Sequence, residues 1–260
     1  MARTMDGPAI LALFDAQLRA DPPPETGVER IWVRDDAGAV LRTTGAYNFI
    51  GWWALTPEQA PAAAAREAAH FRALGQEVEW KVFSHDRPDG LDAALAEAGF
   101  VADAPETFLV FDLEAGALAP SPVAGVEVRR VTDRAGVEDL VAANAAAFER
   151  EEPWRVDDLT PRLDDGSLAL YVAYGEGRPI SSGRLELAPG RDFAGLYGGG
   201  TAPDWRGRGV YRALVAARAA EARRLGVRYL TVDARETSRP ILERLGFQPL
   251  ATITGWVLAP

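Results

Sequence analysis

The chain has 260 residues, of which 48% are hydrophobic and 25% are charged, a composition typical of a globular protein long enough for two modest domains. It contains no cysteine, and its two histidines are His70 and His85. This excludes disulfides and cysteine nucleophiles and disfavours a zinc site or a Ser-His-Asp triad, so we expect no metal. A formal net charge of -10 argues against nucleic-acid partners, because their binding depends on neutralising phosphates.

The N-terminus and the apolar runs give no sign of a membrane segment. Residues 1–6 are not followed by the apolar stretch of a signal peptide, and no apolar run approaches the ~20 residues that cross a bilayer. We expect a cytoplasmic protein with no membrane partner. The acidic balance either attracts a cationic acceptor such as an amine or only keeps the protein soluble.

The first half of the chain predicts helices that alternate with strands. A helix ends at Gly75, where glycine readily adopts the left-handed conformation that closes helices. An apolar strand follows at 78–83, then a helix over 91–98 that ends at Gly99, and a last strand at 107–111.

A segment rich in small residues and proline follows at 114–122. Such a segment indicates a boundary between domains. We therefore predict a first domain over residues 1–115, a linker over 116–124 and a second domain over 125–260.

The second half predicts the order β-α-β-β-β-α-β-α-β, which indicates an α/β fold with a mixed sheet. Its elements lie in chain order at 126–130, 135–148, 168–174, 180–187, 193–201, a helix from Val210 to before Gly226, 227–233, a helix ending at Gly246, and 252–258. Both halves contain helix–strand–helix–strand. This shared order indicates a duplication, or a chance likeness between two α/β domains.

Two glycine-containing segments shape the strands of the second half. The turn at 175–178 joins two strands as a hairpin. Gly198, Gly199 and Gly200 fit a strand that bulges and turns away from its neighbour, and ordinary loop flexibility is the alternative.

The strand at 193–201 leads through an arginine–glycine run into the next helix. The first N–H groups of that helix lack intrahelical partners, and its dipole places positive charge there. Gly207 and Gly209 allow the main chain to approach a bulky ligand, and arginines supply cations. The run predicts a pyrophosphate site, although a solvated turn is the alternative. It lacks the Lys-Ser/Thr of a nucleotide P-loop, and Arg212 occupies the third glycine position of G-x-G-x-x-G.

The run resembles the acetyl-coenzyme A (acetyl-CoA) binding motif of the GNAT superfamily of N-acyltransferases, Gln/Arg-x-x-Gly-x-Gly/Ala. Arg206 and Gly209 match the motif, whereas Tyr211 departs from its last small position. The resemblance extends over residues 126–258, with Pro203-Asp204-Trp205 and Leu245-Gly246-Phe247 among its features. The first half resembles a degenerate copy that lacks the arginine–glycine run. The resemblance implies two GNAT-like α/β domains, each a mixed sheet flanked by helices, of which the first shapes or covers the acceptor cleft.

The resemblance also implies that acetyl-CoA is the acyl donor and which residues bind it. Main-chain amides at the helix start would bind the pyrophosphate, and an amide near Thr201 would polarise the thioester carbonyl. Ser238 would contact the pantetheine arm or serve as a plain helix N-cap. The implied binding residues are Thr201, Arg206, Gly207, Arg208, Gly209, Val210, Tyr211, Arg212 and Ser238.

The catalytic residues are less well indicated, because Leu242 occupies the position where relatives often carry a tyrosine general acid. Tyr197 lies where many relatives have a catalytic glutamate, or it is a core aromatic residue. Glu186 is a second candidate, or an exposed strand carboxylate. Tyr211 could reach the thioester sulfur or pack over the coenzyme.

The loop after residue 148 would line the acceptor site, as in relatives. Its acidic residues would suit a cationic substrate, or they form a solvated loop. They are Glu149, Glu151 and Glu152, followed by Trp154.

The leading hypothesis is an N-acetyltransferase that moves an acetyl group directly from acetyl-CoA to a primary amine of a small molecule or peptide, acting as a monomer or homodimer. A non-catalytic acyl-CoA sensor is the alternative, because Leu242 cannot donate a proton. An aminoacyl-tRNA-dependent transferase is a third possibility, and the acidic charge weighs against it.

Overall fold

The computed structural model describes residues 6–150 and 155–260, which form two compact units. The N-terminal unit contains Asp6–Phe108, Asp233–Thr237 and Pro249–Pro260. The C-terminal unit contains the described part of Leu109–Val232 together with Ser238–Gln248. Each unit is an α/β structure, and the predicted fold class is confirmed.

The first half of the chain begins with a helix that continues into a π-helical turn at Asp15–Arg19. Its elements are α1 (Gly7–Phe14), β1 (Val28–Asp35), β2 (Gly38–Gly45), β3 (Phe49–Ala54), α2 (Ala60–Leu74), β4 (Val78–Phe83), α3 (Leu91–Glu97), β5 (Val101–Ala102) and β6 (Glu106–Asp112). The predicted strand at 78–83 coincides with β4. The other predicted elements of this half agree to within one residue at each end.

The second half has the predicted order of elements. They are β7 (Val126–Arg130), α4 (Arg134–Phe148), α5 (Arg155–Leu159), β8 (Leu168–Gly175), β9 (Arg178–Leu187), β10 (Phe193–Thr201), α6 (Val210–Arg224), β11 (Tyr229–Ala234), α7 (Arg239–Arg244) and β12 (Gln248–Leu258). The short helix α5 and the 3-10 turn after it, Thr160–Leu163, were not predicted. The predicted hairpin is confirmed, because Gly175 pairs with Arg178 across a two-residue turn whose residues both have positive φ.

Glycine closes α2, α3, α6 and α7, as the sequence predicts. After α6, Gly226 has φ 79° and its N–H donates to Arg223 O, while the N–H of Val227 donates to Ala222 O. This pair of bonds is a Schellman motif, which satisfies carbonyls that the helix leaves free. It draws Val227 into the helix end, so β11 begins at Tyr229 rather than at 227 as predicted.

The sheet of the C-terminal unit has the strand order β6-β11-β10-β9-β8-β7. The pair β10–β11 is parallel, whereas β7–β8, β8–β9 and β9–β10 are antiparallel. Helix α4 packs on one face of this sheet and α6 packs on the other. A cluster of buried residues that includes Val137, Leu140 and Leu170 fills the space beneath α4.

The sheet of the N-terminal unit has the order β1-β2-β3-β4-β12, and β5 also pairs with β12. Its β3–β4 pair is parallel. Helices α2 and α3 cover a core in which Phe71, Trp80 and Leu95 are completely buried.

The residue ranges of the two compact units differ from the predicted domain ranges at two strands. Strand β12 lies near the C-terminus of the chain, yet Ile253–Leu258 pair with Phe83–Val78 of β4 in the N-terminal unit. Conversely, the end of β6 belongs to the C-terminal unit, where the N–H of Leu113 donates to Arg228 O. Each compact unit therefore takes a strand from the far side of the predicted linker.

The two halves of the chain share more elements in the same order than the helix–strand–helix–strand that the sequence predicts. The first half runs α1-β1-β2-β3-α2-β4-α3-β6, and the second runs α4-β8-β9-β10-α6-β11-α7-β12 apart from short elements. Duplication, with a degenerate first copy, remains a prediction. Within the two described stretches, no helix is long and apolar enough to span a membrane.

Candidate functional site

The parallel strands β10 and β11 pair only at their beginnings. Residues 193–195 pair with 229–231, and beyond Gly195 no pairing between these strands continues. On the other side of β10, the register with β9 shifts between Tyr197 and Gly200, which marks a β-bulge. Strand β10 therefore turns away from β11, and the predicted divergence and bulge are both confirmed.

Each of the three glycines at the bulge has a structural reason. Gly198 has φ 58°, a conformation that residues with a Cβ rarely adopt. A Cβ on Gly199 would lie 2.9 Å from Cε2 of Tyr211, and one on Gly200 would lie 2.7 Å from Cβ of Ala147. The alternative of ordinary loop flexibility is therefore wrong, because close packing and a left-handed backbone require these glycines.

The arginine–glycine run turns the chain from the end of β10 into α6. A single 3-10 turn at Pro203–Trp205 is followed by Gly207 with φ 74° and Gly209 with φ 87°. Helix α6 then begins at Val210, and no side chain caps its first N–H groups. Those donors, at the positive end of a 15-residue helix, can bind an anion.

The arginines of this turn have different contacts. Arg206 donates from Nε to Thr201 O at 3.0 Å and from Nη2 to Ala147 O at 2.9 Å, so it ties the turn to the ends of β10 and α4. The guanidinium of Arg208 stacks on the Trp205 ring, 4.7 Å from its centroid. Arg212 is exposed on the first turn of α6.

Tyr211 points from α6 to the bulge in β10, where its ring contacts Gly199. Burial raises the pKa of Tyr211 above its usual value of 10.0, although the positive charge of Arg218 opposes this shift. The phenol therefore keeps its proton at neutral pH and can donate it.

Arg218 lies completely inside the C-terminal unit, one turn further along α6 from Leu214. Its Nη1 donates to Arg184 O at 3.0 Å and its Nε donates to Leu214 O at 3.2 Å. Its Nη2 has no hydrogen-bond partner among the described residues. Burial lowers the pKa of Arg218 to about 10, so the group is still charged at neutral pH.

Sequence reasoning missed Arg218, although a signal was present. Residues 211, 214 and 218 follow helical spacing and lie on the buried face of α6, so an arginine at 218 is unusual there. Space for it exists because residue 183 is glycine, where a Cβ would lie 2.7 Å from Cζ of Arg218.

The other two catalytic candidates lie on the opposite face of the sheet, the face that carries α4. Glu186 Oε1 lies 3.2 Å from Arg184 Nη2, and Arg184 pairs across the strands with Tyr197. The Tyr197 ring covers Gly195, which is the cross-strand partner of Glu186. The structure thus brings Glu186 and Tyr197 together and keeps Tyr211 on the other face.

Helix α7 provides no proton donor at position 242, where the resemblance to the GNAT superfamily leads one to expect a tyrosine. Leu242 is completely buried in the core. Ser238 occupies the N-cap position, where its backbone carbonyl accepts from Ile241 N and Leu242 N, but its side chain makes no capping bond. Ser238 is therefore the N-cap residue of α7, as one of the two predictions has it, although its side chain makes no capping bond; contact with the pantetheine arm stays a prediction.

A small pocket lies between α4 and the bulge. Its walls combine two apolar residues of α4 with four polar residues and a glycine, namely Leu140, Val141, Asn144, Arg150, Arg155, Arg184 and Gly198. The Nδ2 group of Asn144 donates to Gly198 O at 3.1 Å. The three arginines were not predicted, because Arg184 is distant in sequence from Arg150 and Arg155 and only the fold brings it to them.

The acidic loop expected at the acceptor site is only partly described. Glu149 is exposed and ends α4 with φ 54°. Glu151, Glu152 and Trp154 lie outside the described residues. The described charges at the pocket are basic, and the choice between an acidic acceptor lining and a solvated acidic loop stays a prediction.

The N-terminal unit holds a separate cluster of Asp15, His85 and Asp86, residue types that also bind metals. The guanidinium of Arg19 donates to both carboxylates at 2.7 Å, and His85 Nε2 lies 2.8 Å from Asp15 Oδ2. This arrangement is an ion-pair network, because an arginine already occupies the carboxylate oxygens.

Residues 134–247 match the sequence model of the Acetyltransferase (GNAT) family. This match includes every residue singled out at the bulge, the arginine–glycine run and the pocket. No curated protein matches the chain significantly.

Solved structures similar to this chain include two that span nearly all of it. The GCN5-related N-acetyltransferase from Kribbella flavida has a TM-score of 0.67 at 18% identity, with 98% of this chain and 94% of that chain covered. A tandem GNAT protein from the clavulanic acid biosynthesis pathway has a TM-score of 0.62 at 16% identity, with 100% and 89% covered. The GCN5-related N-acetyltransferase from Sphaerobacter thermophilus has a TM-score of 0.61 at 15% identity, with 92% and 78% covered. At these identities the likeness establishes the fold.

Proposed function

We propose that the protein transfers an acyl group from acetyl-CoA or a related acyl-CoA to a primary amine of a small molecule or peptide. The observation that carries this proposal is the divergence of β10 from β11 immediately before a helix whose N-terminus is uncapped. The match of residues 134–247 to the Acetyltransferase (GNAT) family supports acyl transfer as the type of reaction.

The residues of the turn suit the diphosphate of a coenzyme. The N–H groups from Gly207 to Tyr211 would donate to it, and the exposed Arg208 and Arg212 would supply positive charge. Arg206 contributes in another way, because its bonds to Thr201 O and Ala147 O hold the turn in place. The opening between β10 and β11 would admit the pantetheine arm.

The acyl-CoA supplies a thioester, whose carbonyl carbon the neutral amine nitrogen attacks and whose carbon–sulfur bond then breaks. The roles left to this chain are to place the two reactants together, to accept the proton that the amine loses and to protonate the leaving thiolate. Glu186 is the candidate base, acting directly or through water, because its carboxylate lies on the α4 face beside the bulge. Tyr211 is the candidate acid, because its phenol ring lies against Gly199 of the bulge and a tyrosine carries its proton at neutral pH.

The proposal is tested by two measurements on the full chain. Acetyl-, succinyl- and longer acyl-CoA should raise the melting temperature, because a ligand that binds the folded state stabilises it by mass action. Release of free thiol in the presence of a panel of amines should then detect transfer. Binding without thiol release across the panel would contradict transfer and favour the sensor. The absence of any thermal shift would contradict both functions.

A further inference from the structure

The arginine-lined pocket beside the bulge stands out against the charge of the whole chain. The protein carries a formal net charge of -10, yet the residues that the structure describes in the pocket wall include three arginines and no acidic residue. Guanidinium groups grouped in this way are typical of sites that bind a carboxylate or another anion.

Arg184 is the best-placed of the three to bind an anion. Its side chain is 18% exposed, and Nη2 forms the ion pair with Glu186 Oε1 at 3.2 Å. Its Nε is buried and has no hydrogen-bond partner among the described residues. A buried donor without an acceptor is unfavourable, and a ligand carboxylate would provide the acceptor in the planar geometry that a guanidinium prefers.

Gly198 keeps the pocket open next to Arg184. A Cβ at this position would lie 3.8 Å from Cζ of Arg184 and 3.7 Å from Nδ2 of Asn144, so a larger side chain would fill the space between them. The bond from Asn144 to Gly198 O holds the backbone of the bulge in this position.

The rest of the pocket indicates what the anion is attached to. Leu140 and Val141 offer an apolar wall on the α4 side. The pocket shares Gly198 with the bulge, close to Tyr197 and the point where β10 leaves β11. A ligand held here by one end would present its other end to the opening between the strands.

We propose that this pocket binds the carboxylate of the acyl acceptor, so that the acceptor is an amine that also bears a carboxylate and an apolar carbon chain, as an amino acid does. This inference rests on the proposed function and names the class of its acceptor. Arg184 binds the carboxylate, Leu140 and Val141 contact the carbon chain, and Glu186 lies next to the arginine on the amine side.

The test compares apolar amino acids with their carboxamides, which have the same shape and no negative charge. In the wild-type protein, kcat/KM for the acids should exceed that for the carboxamides by at least about tenfold. In R184M this preference should disappear, because kcat/KM for the acids should fall more than kcat/KM for the carboxamides, while the thermal shift with acetyl-CoA remains. The ratio of the two is measured because Arg184 also pairs with Glu186. R184K should retain part of the preference. The control is R129M, which removes an exposed arginine of β7.

A binding measurement makes the test independent of turnover. In the presence of coenzyme A, N-acetyl amino acids should raise the melting temperature of the wild type, whereas N-acetyl amino acid amides should not, and R184M should lose the difference. Equal shifts or equal kcat/KM for acids and amides in the wild type would overturn the inference while leaving the proposed function intact. An absence of acyl-CoA binding would instead overturn the proposed function itself.

Discussion

Arg218 carries a positive charge into the interior of the C-terminal unit, where no carboxylate forms an ion pair with it among the described residues. An uncompensated buried charge is normally destabilising. Here it donates to the carbonyl of Arg184 and lies next to the ring of Tyr211. Because perturbed charges of this kind concentrate at functional sites, Arg218 supports the view that the bulge and Tyr211 belong to the reaction centre.

Replacing Tyr211 with phenylalanine tests the proposed general acid. Y211F keeps the ring against Gly199 and removes the proton, so kcat should fall roughly 100-fold. The thermal shift produced by acetyl-CoA should not change. The control is Y229F, which removes a hydroxyl from the buried ring stacked on Phe193. Full kcat in Y211F would exclude this tyrosine as the acid.

Asp15 contributes a stability that depends on pH. Burial opposes its charge, but the hydrogen bond with His85 and the charge of Arg19 together hold the pKa of Asp15 below its usual value of 3.8. At a pH between the pKa of Asp15 in the folded protein and its pKa in the unfolded chain, the unfolded chain binds more protons. The stabilisation is therefore fully present above about pH 4, and it is lost as the pH falls through the pKa of the folded protein.

D15N should therefore lower the free energy of unfolding at pH 7 by about 1–3 kcal/mol, and the difference from wild type should shrink towards pH 3. Urea unfolding at both pH values measures this difference. D36N, which removes an exposed carboxylate, should cause little change at either pH. A deficit in D15N that is equally large at pH 3 would contradict the account.

At the scale of elements, two features adjoin each other because β10 leads directly into α6. The bulge turns the end of β10 away from β11, and the turn with two left-handed glycines starts α6 without a side-chain cap. Arg206 links the two, since it bonds to the last residue of β10 and to Ala147 of α4. Binding at the helix start should therefore depend on backbone geometry at least as much as on arginine charge.

Substitution of Gly209 with alanine tests this dependence. Both ends of α6 carry a left-handed glycine, Gly209 with φ 87° and Gly226 with φ 79°. G209A and G226A should each cost about 1–2 kcal/mol of stability because alanine is strained in this conformation. G209A alone should weaken acetyl-CoA binding, by about tenfold or more, since its Cβ would lie 3.2 Å from Nη2 of Arg212 at the binding turn.

Titration of acetyl-CoA by calorimetry, with urea unfolding alongside, separates the two effects. Because G226A places the same strain at the far end of the helix, where the added Cβ has no neighbour within 4 Å, it controls for stability. Equal affinities for G209A and G226A would count against the helix start as the coenzyme site.

At the scale of the whole molecule, the two compact units are not two successive stretches of chain. Strand β12 completes the sheet of the N-terminal unit by pairing with β4, and the end of β6 belongs to the C-terminal unit. Cleavage of the chain at the predicted linker leaves both strands in place. Deletion of either half of the chain, in contrast, removes a strand from the sheet of the unit that remains. Unpaired strand edges favour aggregation, so isolated halves should be poorly soluble.

Cleavage within the linker tests this arrangement. A protease site placed between residues 117 and 122 should yield two fragments that still elute together in size-exclusion chromatography, because β12 pairs with β4 and β6 neighbours β11. Denaturing urea should separate the fragments, which provides the control. Separation in native buffer would contradict the strand assignment.

The sequence by itself determined the main elements of the second half, four elements of the first half and the position of the arginine–glycine turn, because those signals are local. Glycines after helices, apolar periodicity and the run from Arg206 to Gly209 act over a few residues of chain, and they placed β4, β7 and β10 at their observed bounds. The bulge was equally readable from Gly198 to Gly200.

Only the tertiary structure decided which distant residues meet. The bond of Arg206 to Ala147, the meeting of Arg184 with Asn144 at the pocket and the attachment of β12 to β4 all join residues far apart in sequence. Such contacts depend on long-range packing, in which burial and strand pairing outweigh local preference, and a single sequence carries no separate signal for them. For the same reason the pocket between α4 and the bulge, with its three arginines, was not predicted.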